Sequence, residues 1–152
     1  MVGWVPVPNA SPGSSITLTA SGSGGGAGIS ERNNVTGTTA GAARRLQIHN
    51  SLIHNFQKNG LALDDGYTGT TPNYNGALTA VVTNTEIDGN AGPIGSAPLA
   101  RNGIVTDNGA TLSVIDSTIR DFTWAGASNY TASGVLLFDT RNVRIQGTSF
   151  VN

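Results

Sequence analysis

Apolar residues recur along the chain in short alternating runs that stop at Asn, Asp or Gly. Leu46 to Phe56 reads LQIHNSLIHNF, Ala80 to Asn90 reads AVVTNTEIDGN, Leu112 to Phe122 reads LSVIDSTIRDF, and Val143 to Asn152 reads VRIQGTSFVN. Aligning them puts Ile48, Val82, Val114 and Ile145 in one column, at spacings of 34, 32 and 31 residues. Ile53, Ile87, Ile119 and Phe150 form a second column, and Asn50, Asn84, Asp116 and Gly147 lie between the two. A third signature follows at Gly60-Leu-Ala-Leu, Gly103-Ile-Val-Thr and Gly134-Val-Leu-Leu, with Gly28-Ile29 as a candidate first instance. Short alternation predicts strands. Asn, Asp and Gly tolerate left-handed backbone and predict the bends between them. No segment carries an apolar stripe of helical period with caps. Three short strands per repeat predict a coil whose strands stack in parallel on the next, about 4.8 Å away. Asn50, Asn84 and Asp116 then form a side-chain hydrogen-bond ladder.

Repeat lengths exceed a bare three-strand coil, and the surplus is insertion. One insertion runs from about Asp65 to Gly76. Two more, Gly89 to Asn102 and Thr123 to Ser133, leave the same corner of successive coils. Insertions on one edge of a solenoid commonly build its binding face. Residues 1–27 form an N-terminal segment in which Ser15 to Thr19 reads as a first-coil strand and Ser21 to Gly28 as a glycine-rich loop. Residues 28–152 carry the repeats.

These columns resemble the parallel-β-helix repeats of the pectin-lyase-like superfamily, over roughly Gly28 to Asn152. The resemblance implies an all-β fold: a right-handed parallel β-helix solenoid of about four coils, with three short strands per coil and loop insertions. Members usually have more coils and an N-terminal capping helix, and neither is visible here. The chain stops in mid-coil just after Phe150. The expectation is therefore a fragment, or coil ends covered by another chain, because uncapped ends favour self-association.

Composition narrows the function. Only 11% of the residues are charged and the net charge is -1, against roughly a quarter charged in an ordinary domain. Eight scattered Lys and Arg residues make no basic stripe, which argues against nucleic acid as a partner. No apolar run is long enough for membrane insertion as a helix. Zero cysteines exclude disulfides and thiolate metal sites. A cysteine-free chain rich in Thr, Asn and Gly fits an extracellular or cell-surface β protein, although Met1 to Pro6 has no signal-peptide character.

Strand alternation turns the neighbours of the inward Ile and Val outward. His54, Asp88, Arg120 and Val151 then form one exposed column, beside Leu52, Glu86, Thr118 and Ser149. Glu86, Asp88, Arg120 and His54 are the catalytic candidates. Two carboxylates, an Arg and a His on one strip suit an acidic or hydroxylated sugar, or acid–base work. If the site is catalytic, Arg120 or His54 is the base. The plainer reading, a solvated face with weak cross-strand ion pairs, carries more weight. By resemblance, pectate lyases use carboxylate-bound Ca²⁺ and a basic residue on such a sheet. Polygalacturonase-like pieces, Asn84-Thr85-Glu86, Asp64-Asp65 and Arg144-Ile145-Gln146, occur here in another order, so those roles are not carried over.

Asp64, Asp107 and Asp139 form a second carboxylate column and are the metal candidates, for Ca²⁺. Turn formation explains Asp at strand ends more simply. His49 and His54 flank Asn50, face different sheets and lack a third ligand. Trp124 and Tyr130 on one insertion, and Tyr67 and Tyr74 on another, are candidate sugar platforms. They serve equally well as covers for the flank of the coil.

Two functions follow. One is an extracellular carbohydrate-interacting protein that binds or cleaves polysaccharide, lyase-like or glycoside-hydrolase-like. The other is a non-catalytic structural or adhesion module, such as a surface stalk, a phage-spike segment or a self-stacking unit.

Overall fold

The computed structural model describes residues 14–17, 27–32, 43–65, 67–68, 71–72, 78–89, 100–124 and 132–152. In chain order the strands are β1 (Ser14–Thr17), β2 (Ala27–Arg32), β3 (Arg44–His49), β4 (Ser51–His54), β5 (Asn59–Asp64), β6 (Tyr67–Thr68), β7 (Thr71–Pro72), β8 (Leu78–Thr83), β9 (Glu86–Asp88), β10 (Asn102–Asp107), β11 (Thr111–Ile115), β12 (Thr118–Arg120), β13 (Ser133–Leu137), β14 (Asn142–Gln146) and β15 (Ser149–Val151). Strands β6 and β7 form a small antiparallel hairpin within the first insertion. The rest form three parallel sheets, ordered β1-β4-β9-β12-β15, β2-β5-β10-β13 and β3-β8-β11-β14. We name these sheets A, B and C. The chain visits A, B and C in turn and then begins the next coil, which makes the molecule a parallel β-helix.

Register follows the sequence columns. Ile48, Val82, Val114 and Ile145 align in sheet C. Ile53, Ile87, Ile119 and Phe150 align in sheet A. In sheet B, Ile29, Leu61, Ile104 and Val135 align. Strand β1, within residues 1–27, begins sheet A on β4. The inward residues of the middle coils are completely buried, among them Ile53, Leu61, Val82, Ile87, Ile104, Leu112 and Val114. Gly28, Gly60, Gly103 and Gly134 stack one beneath another because the coils approach closely there. A Cβ on Gly28 would lie 2.6 Å from the Gly60 carbonyl oxygen, and one on Gly60 would lie 2.7 Å from that of Gly103.

The corner between sheets C and A repeats one device four times. Asn50, Asn84, Asp116 and Gly147 all have positive φ, at 49°, 47°, 48° and 60°. The next residue is always Ser or Thr, and its hydroxyl donates to the carbonyl two residues back: Ser51 to His49, Thr85 to Thr83, Ser117 to Ile115 and Thr148 to Gln146. A left-handed residue thus reverses the chain while a hydroxyl satisfies the last strand carbonyl. The coils are tied vertically as well. Asn84 Nδ2 donates to Asn50 Oδ1 at 2.7 Å, so that rung of the ladder is present. Amides also tie coils at both ends of sheet B, with Asn102 donating to Asn59 and Asn108 donating to Asp64.

At Asn84 two effects separate cleanly. Asn84→Gly removes the side-chain hydrogen bond and relieves the left-handed backbone of its Cβ, whereas Asn84→Ala keeps the Cβ without the polar side chain that lets Asn tolerate that conformation, at about 1–2 kcal/mol. Urea unfolding is therefore expected to rank wild type, then the Gly variant, then the Ala variant. Equal stability of the two variants would remove the left-handed corner from the account.

Candidate functional site

Sheet A presents its outward residues on successive coils. Leu52, Glu86, Thr118 and Ser149 align, as do Asp88, Arg120 and Val151. His54, half-buried, ends β4 one residue after the Ile53–Ile87 pair. Arg120 is the centre of this strip. Its Nε donates to Glu86 Oε1 at 2.8 Å, its Nη2 meets Asp88 Oδ2 at 2.7 Å, and its Nη1 donates to Asp121 Oδ2. Each guanidinium nitrogen therefore already faces a carboxylate. The Asp88 side chain is the least exposed of the three, at 15%, with Asp121 at 32% and Glu86 at 40%.

Two consequences follow for chemistry. The Glu86 hydrogen bond, aided by Asp121 and Asp88 and opposed by partial burial, raises the Arg120 pKa above its already high ordinary value. A general base needs a shift in the other direction. Moreover, three carboxylates surround one guanidinium, which leaves an excess of two formal negative charges on this half-buried face. The strip offers hydrogen-bond acceptors, and the Arg fork that would grip a ligand carboxylate is already engaged.

Sequence reasoning brought Glu86, Asp88 and Arg120 together correctly but missed Asp121. That residue follows β12 with φ 61°, and its left-handed turn carries the carboxylate back to Arg120. Sequence reasoning also missed Lys58 and Arg101. Both sit at the corner between sheets A and B, just before strands that pair in register. Burial without water lowers the pKa of each from its ordinary value. Beneath this corner Phe56 and Phe122 stack, with ring centroids 6.1 Å apart.

The metal column needs correction. Asp64 and Asp107 are register partners, but Asp139 is one position too far along. The Phe138 amide donates to the Thr106 carbonyl at 2.8 Å and the Gly109 amide to the Asp139 carbonyl at 2.7 Å. These bonds put Phe138 beside Asp107 and Asp139 beside Asn108. Strand β13 already ends at Leu137, and Asp139 sits in a left-handed turn with φ 44°. Asn108 binds both aligned carboxylates, Asp64 through its side chain at 2.7 Å and Asp107 through its amide at 2.8 Å. Among the described residues, no three His, Asp or Glu side chains converge in a metal-holding group. His49 and His54 lie on sheets C and A respectively, as Asn50 between them dictates.

Of the aromatic candidates, Trp124 is half-buried, and its indole Nε1 is buried without a hydrogen-bond partner. It leans onto the coil rather than standing clear of it. Tyr67 pairs with Pro72 through its backbone in the hairpin. The Tyr67 side chain, Tyr74 and Tyr130 lie outside the described residues.

Removing Arg120 leaves three facing carboxylates with no cation between them. Arg120→Met is therefore expected to lower the melting temperature at low ionic strength and to regain much of the loss in 0.5 M NaCl, because salt screens exposed charges within about 10 Å or less. Wild type should respond far less. A loss of stability indifferent to salt would mean that the Arg120 stem, not its charge, matters.

No protein-family model, curated protein sequence or solved structure matches this chain.

Proposed function

We propose that this protein is an extracellular carbohydrate-interacting β-helix, related in its repeat to the pectin-lyase-like superfamily, and that it binds neutral, hydroxyl-rich polysaccharide along sheet A. One observation carries this reading: each guanidinium nitrogen of Arg120 already meets a carboxylate, of Glu86, Asp88 or Asp121, on the outward, half-buried face of sheet A. Sugar hydroxyls are donors and match carboxylate acceptors. A uronate or sulfate group would meet three carboxylates around a guanidinium whose charge they already offset. The raised pKa of Arg120 favours binding over base catalysis by that residue.

Isothermal titration against xylan, mannan, β-glucan and polygalacturonate, with and without chelator, tests this. A neutral polysaccharide is expected to bind in both conditions, with affinity falling at least tenfold in Asp88→Ala. Exclusive binding of polygalacturonate, or of nothing, overturns the reading. Release of unsaturated or reducing ends would convert the module into an enzyme, with His54 as the remaining base candidate.

A second reading, a structural or adhesion module, is favoured by apolar residues at outward positions of the coil from β13 to β15. Phe138 stands where the coil above has Asp107, and Val151 stands beneath Arg120. Sedimentation velocity over a hundredfold concentration range distinguishes the readings. Growth in particle size abolished by Phe138→Asp would favour self-association, and a constant monomer would remove it.

A further inference from the structure

Two cations at the corner between sheets A and B lie next to the strip but outside it. Lys58 belongs to the coil above, and its Nζ donates to the carbonyl of Ala100. Arg101 belongs to the same coil as Asp88, and its Nη1 donates to the carbonyl of Gly89 at 3.2 Å. Gly89 and Ala100 are the two ends of the excursion that leaves β9 and returns to β10. Each end is thus held by one long cationic side chain, from two different coils.

The held peptide is also part of the strip. Gly89 follows Asp88 directly, and its amide donates to the Arg120 carbonyl at 2.9 Å. It has no room to shift toward the next coil, since a Cβ there would lie 2.6 Å from the Asp121 carbonyl oxygen and 2.8 Å from Phe122. The Gly89 unit is therefore fixed on its N–H side by Arg120 and on its C=O side by Arg101. The backbones of the two cationic residues are ladder-bonded in turn: the Lys58 carbonyl accepts from Asn102 at 2.8 Å and the Arg101 carbonyl from Ser133 at 3.1 Å. Both cations are partly stripped of water, a cost that an ordinary surface Lys or Arg avoids.

We propose that Lys58 and Arg101 are positioning residues for the Arg120 strip, clasping both ends of the excursion between Gly89 and Ala100 and so fixing the peptide that carries Asp88. The consequence for ligand rests on the carbohydrate reading above; the clasp itself does not.

The test is amide and side-chain NMR of the ¹⁵N-labelled chain, with no ligand added. Arg101→Met is expected to shift or broaden both the Gly89 amide and the Arg120 Nε–H signal, to leave Leu112 and Val114 in β11 unmoved, and to be partly rescued by Arg101→Lys. Lys58→Met is expected to act on the Arg101 amide. Unchanged Gly89 and Arg120 Nε–H signals in Arg101→Met overturn the proposal, and so do changes spread equally through β11. Should that variant fail to fold, Arg101→Gln takes its place with the same readouts. Changes confined to the Gly89 amide and the Arg120 Nε–H signal support the clasp, and unchanged signals overturn it. Polysaccharide titration of the same variants follows. Lost affinity rescued by Arg101→Lys ties the clasp to the strip, while intact NMR signatures without any binding would sink the carbohydrate reading alone.

Discussion

Parallel strands cannot be joined by tight hairpins, so a chain that makes only parallel sheets has to travel around the outside and return one strand spacing further on. That requirement governs this molecule. Within the middle coils each strand position has a register partner above and below, and a residue there fits only if it suits the same position of its neighbours. The apolar columns satisfy the condition by burial. The glycine column through Gly60 and Gly103 satisfies it by having no side chain at all. The corner through Asn50, Asn84, Asp116 and Gly147 satisfies it by sharing one left-handed conformation, whatever the side chain. A change in one coil is therefore felt first by its two neighbours and only weakly beyond.

Much of this was legible in the sequence because stacking writes the same residue types at the same offsets. The three apolar columns, the Asn rung and the pairing of Glu86, Asp88 and Arg120 on one face all followed from counting. The Ser or Thr after each corner residue, Ser51, Thr85, Ser117 and Thr148, was equally visible, and its hydroxyl bond to the strand carbonyl gives that repetition its meaning. Counting would also have placed Asp139, which lies five residues after Gly134 where Asp64 and Asp107 lie four after Gly60 and Gly103, so that unbroken register sets Phe138 beside Asp107. What counting could not supply was anything decided by a turn. Asp121 joined Arg120 through its own left-handed turn after β12. Lys58 and Arg101 gained their roles from where an excursion departs and returns, and periodicity carries no signal for that.

The amides that tie the coils share a direction. Asn84, Asn102 and Asn108, all in the second full coil, donate to Asn50, Asn59 and Asp64 in the first. The Oδ1 atoms of Asn102 and Asn108 are left buried without a donor. Below the second coil the polar ties are of another kind: Arg120 reaches back to Glu86 and Asp88, the Ser117 hydroxyl accepts from the Thr85 amide at 3.2 Å, and the Thr106 and Thr140 hydroxyls meet. An unmet buried acceptor costs about 1–3 kcal/mol, a cost that these charge and hydroxyl pairs offset where the amide ladder stops.

Pinned excursions separate two kinds of design freedom. The first insertion is anchored by Asp65, buried, whose carboxylate accepts from the Leu78 amide on the far side at 3.0 Å. The second is anchored by Lys58 and Arg101. With the ends fixed by the coil, lengthening an intervening segment costs little, about 0.6 kcal/mol for each doubling. Selection, or an engineer grafting foreign peptides, can thus rewrite what lies between Gly89 and Ala100 without renegotiating the core. The fold behaves as a rack with sockets, and the sockets are Asp65, Lys58 and Arg101.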